Sequence, residues 1–293
     1  MFFTLGVMIL MSSCIKEDND DCHKSCLLSV RVLDADNSDL TTSGVVKDID
    51  LYVYDENGNF LEKSTITPEN VKNEKSILLN YHTHKSITVL AWANLAQRPL
   101  NYDKIQPTHT LGSKLNVTLK QDANGMHQSP GELFFGKKEI IMEEGIGSFQ
   151  HELVVKRKTS SIYIITKRLR QWAAMPGDDY WYKVVGTKDS YDMFAGALQG
   201  NDATFKPSCG WDGDKDVLIA PIFDTFPSGS GQNVEVQIYK GDQCIYRAST
   251  DNRGLAFKAE EGKTLQIVID FTAAVSVNVY INPWHSVQQI TDL

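Results

Sequence analysis

The chain has 293 residues, 42% of them apolar and 23% charged, and a net charge of −8. That length suits about two domains of ordinary size, and that apolar fraction supplies packed cores and excludes global disorder. The acidic balance excludes an electrostatic footprint for nucleic acid, so no nucleic-acid partner is expected, and any membrane attachment has to be covalent or hydrophobic.

Phe2 to Met11 is one apolar run, interrupted by Thr4 and Gly6. As a helix those residues rise about 15 Å, roughly half a hydrocarbon core, so the run cannot span a bilayer and has the length of a signal-peptide h-region. Ser12, Ser13 and then Cys14 resemble a bacterial lipobox, although Met11 stands where Leu is commoner and no Lys or Arg precedes the run. Residues 1–13 are therefore expected as a signal peptide and Cys14 as the lipidated first residue of the mature chain. Residues 14–26 follow as a tether, because the charged run from Lys16 to Asp21 stays solvated and extended. With Cys14 set aside, Cys22, Cys26, Cys209 and Cys244 remain, an even number that suits an oxidising compartment. Three pairings are possible, and the least demanding joins Cys22 to Cys26 and Cys209 to Cys244. A metal at the first pair, with His23 beside it, lacks a second Cys/His pair at zinc spacing.

From Leu27 the dominant period is two. Leu28, Val30 and Val32 share one face, as do Ile49, Leu51 and Val53, and Asp55-Glu56-Asn57-Gly58 then offers a hairpin turn. Further strands are expected at 76–81, 86–95, 115–121, 133–142 and 149–156. A second series runs from Ser160 with Ile162, Ile164 and Thr166, through 179–186, to a hairpin in which Val234, Val236 and Ile238 align before the Gly241-Asp242 turn. Two strands close the chain, one with Leu265, Ile267 and Ile269 and one with Val275, Val277, Val279 and Ile281. The stretch 166–175 is the one helical candidate, ended by Pro176-Gly177. Many short strands with turn signals between them indicate an all-β protein of two tandem antiparallel sandwiches, 27–155 and 156–293, jointed at an exposed basic cluster, Lys156-Arg157-Lys158.

Candidates for chemistry are few. There is no HExxH, GxSxG or phosphate-binding glycine loop, and no cofactor is expected. His82 and His84 fall in a polar turn, and His151-Glu152 falls in a strand. Asp212, Asp214 and Asp216 place carboxylates at alternate positions, as calcium would need, but Val217 stands where an EF-hand requires glycine and Phe223 where it requires an acid, so no metal is assigned. Tyr180, Trp181 and Tyr182 are consecutive, so a strand sends Trp181 to the face opposite its neighbours. Exposed, it would be a sugar-stacking platform. After Pro283, a tail carries Trp284, Val287, Ile290 and Leu293 as apolar anchors, either packed on the chain's own second half or offered as a strand to a partner.

Several segments in this order resemble the FimB-type anchor family of Bacteroidales fimbriae: CIKEDNDDC, VRVLDAD, DIDLYVYDENGNFL, VLAWANL, ELFFGKKEI, RKTSSIYI and INPWHSV. The acidic run after Cys14 also looks like the signal that sends lipoproteins of Bacteroidota to the outer face of the outer membrane. The resemblance implies transthyretin-like sandwiches and a non-enzymatic lipoprotein, lipid-anchored and surface-exposed at the cell outer membrane. It would fix a fimbria (pilus) to the cell, limit its length and take a stalk pilin as partner. Polymerising members of the family lose an N-terminal strand to an arginine-specific protease, whereas an anchor must keep its own; Arg31 lies in the first expected strand. The alternative is a surface glycan-binding lipoprotein, for which Tyr180-Trp181-Tyr182 is the candidate platform.

Overall fold

The structure is a computed structural model that describes residues 25–289, apart from Gln97, residues 144–146, Pro176 and Asp214. It is almost entirely β. In chain order the elements begin with β1 (Ser25–Leu33), β2 (Ile49–Asp55), β3 (Phe60–Ile66), α1 (Pro68–Lys72), β4 (Ile77–Leu79) and β5 (Ser86–Ala93). There follow β6 (Leu100–Tyr102), β7 (Asn116–Leu119), β8 (Phe134–Ile141), β9 (Ser148–Arg157), β10 (Ser160–Lys167), α2 (Leu169–Ala173) and β11 (Tyr180–Asp192). The last are β12 (Leu198–Phe205), β13 (Gly210–Trp211), β14 (Val217–Thr225), β15 (Glu235–Lys240), β16 (Gln243–Ala248), β17 (Lys263–Phe271) and β18 (Val275–Pro283).

The first sheet has the order β3-β2-β5-β8-β9-β1-β4 and folds over on itself. β8 and β9 pair at Phe134–Arg157 and Phe135–Lys156. A Cβ on Gly136 would lie 2.2 Å from the carbonyl oxygen of Val154, so no larger residue fits at this fold-over. The two halves enclose a core of Leu28, Val30 and Val32 from β1, Ile49, Leu51 and Val53 from β2, and Leu153 and Val155 from β9. Burying one such side chain contributes about 1.5–3 kcal/mol, and period-two alternation is what brings them to one side. The β2–β3 turn is the expected one: Asp55 accepts from the Asn57 and Asn59 amides, and Gly58 takes φ +77°.

The second core lies between a sheet β13-β14-β10-β17-β18 and a sheet β16-β15-β11-β7-β6, with β12 also paired to β11. Ile162, Ile164, Val234, Val236, Ile238, Leu265, Ile267 and Ile269 fill it as their phase predicts. Each core carries one parallel pair, β1 with β9 and β10 with β17, among otherwise antiparallel ladders. The chain does not sort cleanly at residue 155. β6 and β7 hydrogen-bond into the second core's sheet, and β2 and β5 turn Tyr52, Tyr54, Leu90 and Trp92 toward the second core. Trp92 seals this contact: buried, it donates Nε1–H to the Met193 carbonyl at 2.8 Å and lies 4.7 Å from the Phe135 ring.

α2 is shorter than the helical stretch expected at 166–175. β12 and β14 were not expected as strands. In β12 the polar run Gly200-Asn201-Asp202 hides the alternation, and in β14 the bulge against β10 falls at Pro221 and Ile222.

Candidate functional site

The joint between the two cores is built on Arg157. In sequence it is the middle of a basic cluster expected to be exposed, yet its side chain is 2% exposed. It continues the inward phase of Leu153 and Val155 along β9, which delivers it to the interior. Nε donates to Asp34 Oδ1 at 3.0 Å and Nη1 to Glu132 Oε1 at 2.9 Å. The guanidinium lies 4.7 Å from the Phe134 ring centroid and 4.3 Å from that of Trp284. Four separate stretches of chain thus meet on one cation: the exit of β1, the entry to β8, the end of β9 and the C-terminal tail. Nearby, Tyr191 donates its hydroxyl to the Lys158 carbonyl at 2.6 Å, and burial, with Glu261 second, holds its phenol well above the usual range. Asp34, Glu132 and Arg157 carried no catalytic motif; the signal that was available is the period-two position of Arg157.

The tail is held on its own chain as far as Gln288. Beyond Trp284, His285 Nε2 is 2.7 Å from Asp224 Oδ1. Gln266, fully buried in β17, accepts from the Gln288 amide at 2.7 Å and donates to the Gln288 carbonyl at 3.1 Å, in the manner of a ladder pair. Val287 is 43% exposed. Ile290 and Leu293 lie outside the described residues, as do residues 14–24 of the expected tether, Cys14 and Cys22 among them; its last two residues, Ser25 and Cys26, belong to β1 instead. The described chain begins beside the β8–β9 hairpin, where the Ser25 amide donates to the Gly147 carbonyl.

The remaining candidates resolve into structural roles. Trp181 stacks on Tyr239 at 4.3 Å and 17°, and the Lys206 ammonium lies 4.2 Å over the ring. Tyr239 comes from β15 and Lys206 follows β12, strands on opposite flanks of β11, so the ring is already engaged by the chain's own side chains. The Asp216 carboxylate accepts from the amides of Arg170 and Gln171, each at 3.0 Å, so it caps α2 instead of facing a cation. Asp212 pairs with Lys215, and Asp214 lies outside the described residues. Among the described residues no three His, Cys, Asp or Glu side chains are grouped to hold a metal ion. His84 is bonded to Glu56 at 3.1 Å; His151 lies in β9, where burial first and Lys138 second lower its pKa.

The expected Cys209–Cys244 disulfide is absent: both are free thiols. Cys209 Sγ donates to the Tyr180 carbonyl of β11, whereas Cys244 lies on β16, two strand spacings, about 10 Å, from β11. Cys26 is also a free thiol, turned wholly into the first core beside Leu28, where burial raises its pKa. No helix among the described residues is long and apolar enough to cross a membrane.

Comparison with known proteins bears on the whole chain. The family described as fimbrillin-A associated anchor proteins Mfa1 and Mfa2 matches residues 19–290. A Porphyromonas gingivalis protein named major fimbrium anchoring subunit FimB is 31% identical over 306 residues, covering 99% of this chain and 98% of its own. Among solved structures, the fimbrial anchor protein Mfa2 of Porphyromonas gingivalis superposes with a TM-score of 0.65 at 15% identity, covering 90% of this chain and 98% of that one. A Bacteroides thetaiotaomicron protein provisionally named as polysaccharide-binding superposes with a TM-score of 0.68 at 15% identity, covering 91% of this chain and 99% of that one. At those identities the likeness to the two structures is one of fold.

Proposed function

Because the chain belongs to the family of fimbrillin-A associated anchor proteins, we propose that it is the lipid-held base of a fimbria, fixing the first stalk subunit to the outer membrane. The observation that carries this reading is the 31% identity to a fimbrium anchoring subunit over essentially both full lengths. The relatives are structural proteins, and the role read here is non-enzymatic. Cys14 carries the lipid. Between it and Ser25, fully extended chain reaches at most about 40 Å, so the folded part is held close to the bilayer. A single acyl chain binds marginally, whereas two or more hold durably at about 0.8 kcal/mol per buried methylene. A subunit fixed at its N-terminus also ends growth at the cell-proximal side, which limits fimbrial length.

The test is Cys14→Ala in the fimbriated cell. The variant is expected to leave the membrane fraction as soluble or unprocessed protein, and fimbriae are expected in the medium with the variant at their base. A variant still membrane-bound and released only by detergent would refute lipidation at Cys14.

A further inference from the structure

Two ends of the molecule can be told apart by strand direction. β1 and β9 run in parallel from Ser25 and Ser148 toward the joint, so the tether leaves at the end remote from Arg157. β10 starts at the joint and runs away from it into α2, so α2 lies at the opposite limit of the second core. That end is unusually well fixed for such a short helix. Asp216 caps it, and Leu169 is fully buried in the second core. The Arg170 guanidinium is ion-paired with Asp178 at 2.9 Å and lies 3.8 Å over Trp211, which meets Tyr180 edge-on at 5.6 Å. Lys240 pairs with Asp179 and covers the Tyr180 ring.

From this braced platform Trp172 projects, 41% exposed, the one exposed Phe, Tyr or Trp among the described residues. One face of its indole rests on Phe271 at 4.3 Å. Beside it is an open cleft of about 340 Å³ lined by Trp172, Ala173, Met175, Gln243, Cys244 and Ile245. A rigidly mounted tryptophan next to an apolar recess is the usual composition of an interface hot spot, because little conformational freedom is lost when it is covered.

We propose that Trp172 and its cleft seat the first stalk subunit, taking an apolar side chain that this subunit presents. The inference rests on the anchor reading, and what selects the occupant is where the chain outside the described residues lies. The lipid end is at Ser25, leaving the α2 end as the one turned from the bilayer, where the stalk has to begin.

The experiment uses fimbriated cells in which this gene is deleted and replaced by the wild type, Trp172→Asp, Gln243→Lys, Trp172→Phe or Cys14→Ala. Cell-bound and shed fimbriae are measured, together with the location of the anchor itself. Trp172→Asp and Gln243→Lys are expected to shed fimbriae that lack the anchor while the anchor stays in the membrane, and Trp172→Phe to retain them. Losing a hot-spot tryptophan weakens an interface roughly thirtyfold, about 2 kcal/mol. Cys14→Ala differs, because its shed fimbriae carry the anchor with them. Gln243 is exposed at the cleft rim, so its variant tests the site without disturbing Phe271. Wild-type retention by both Trp172→Asp and Gln243→Lys would overturn the proposal while leaving the anchor reading intact. Retention by cells lacking the gene altogether would overturn both.

Discussion

Arg157→Met measures how strongly the joint is held. The substitution keeps most of the side-chain volume but removes the cation between Asp34 and Glu132, and with it the stacking on Phe134 and Trp284. Breaking a buried ion pair from one side costs about 3–5 kcal/mol, since the partner charge is left desolvated and unpaired. Here the carboxylates retain 16% and 22% side-chain exposure, which lets water reach them and places the cost near the lower figure, about 3 kcal/mol. The lost ring contacts add about 1 kcal/mol. At roughly 2–4 °C per kcal/mol, the thermal midpoint is expected to fall by about 10 °C. The assay is thermal and urea unfolding of the purified residues 25–293, with Asp34→Asn and Glu132→Gln added to the Arg157→Met background. The triple variant is expected to recover most of the loss, because no orphaned charge remains. A midpoint for Arg157→Met within about 2 °C of wild type would refute the argument that this cation holds the joint.

Two further outcomes are expected. The Asp39 carboxyl, held down first by the Thr41 hydroxyl and amide and then by Arg31, titrates at about 2. Because its folded pKa is below the unfolded value, its contribution is complete above about pH 4 and is lost as the pH falls toward 2. Thr41→Ala should move the midpoint upward in an NMR titration, and an unmoved midpoint would exclude Thr41 as the cause. Deleting residues 287–293 removes both partners that Gln288 supplies to buried Gln266, so stability should fall by about 1–3 kcal/mol in urea while fimbriae stay cell-bound. Unchanged stability with fimbriae shed would instead mark the tail as a strand donated to the stalk.

Periodicity made the strands legible wherever one face was buried and the other wet, as with Leu28, Val30 and Val32, or Leu265, Ile267 and Ile269. It failed in β12, where Gly200, Asn201 and Asp202 are solvated, and in β14, where Pro221 sits at a bulge. It also could not show that β2 is buried on both faces, with Tyr52 and Tyr54 serving a second core, because burial on the far side depends on which strands come to lie there. The joint was hidden for the same reason. Arg157 and Asp34 stand 123 residues apart, and the charge of Arg157 suggested solvent while its phase pointed inward. Cysteine parity misled, since an even number of thiols says nothing of the strand spacings between them.

The parallel pairing of β1 with β9 has a mechanical consequence. All nine residues of β1 are in register with β9, from Ser25 opposite Ser148 to Leu33 opposite Lys156, and β9 passes through two residues into β10. In the anchor role proposed above, a pull at the N-terminal side would draw β1 toward its N-terminus while a load on the second core would draw β9 toward its C-terminus. The two strands are loaded in shear, so their hydrogen bonds bear the force together instead of opening one after another. Tension between Ser25 and the second core would be carried across the β1–β9 ladder, through residues 158–159 and into β10, with Arg157 at the end of β9 on that line.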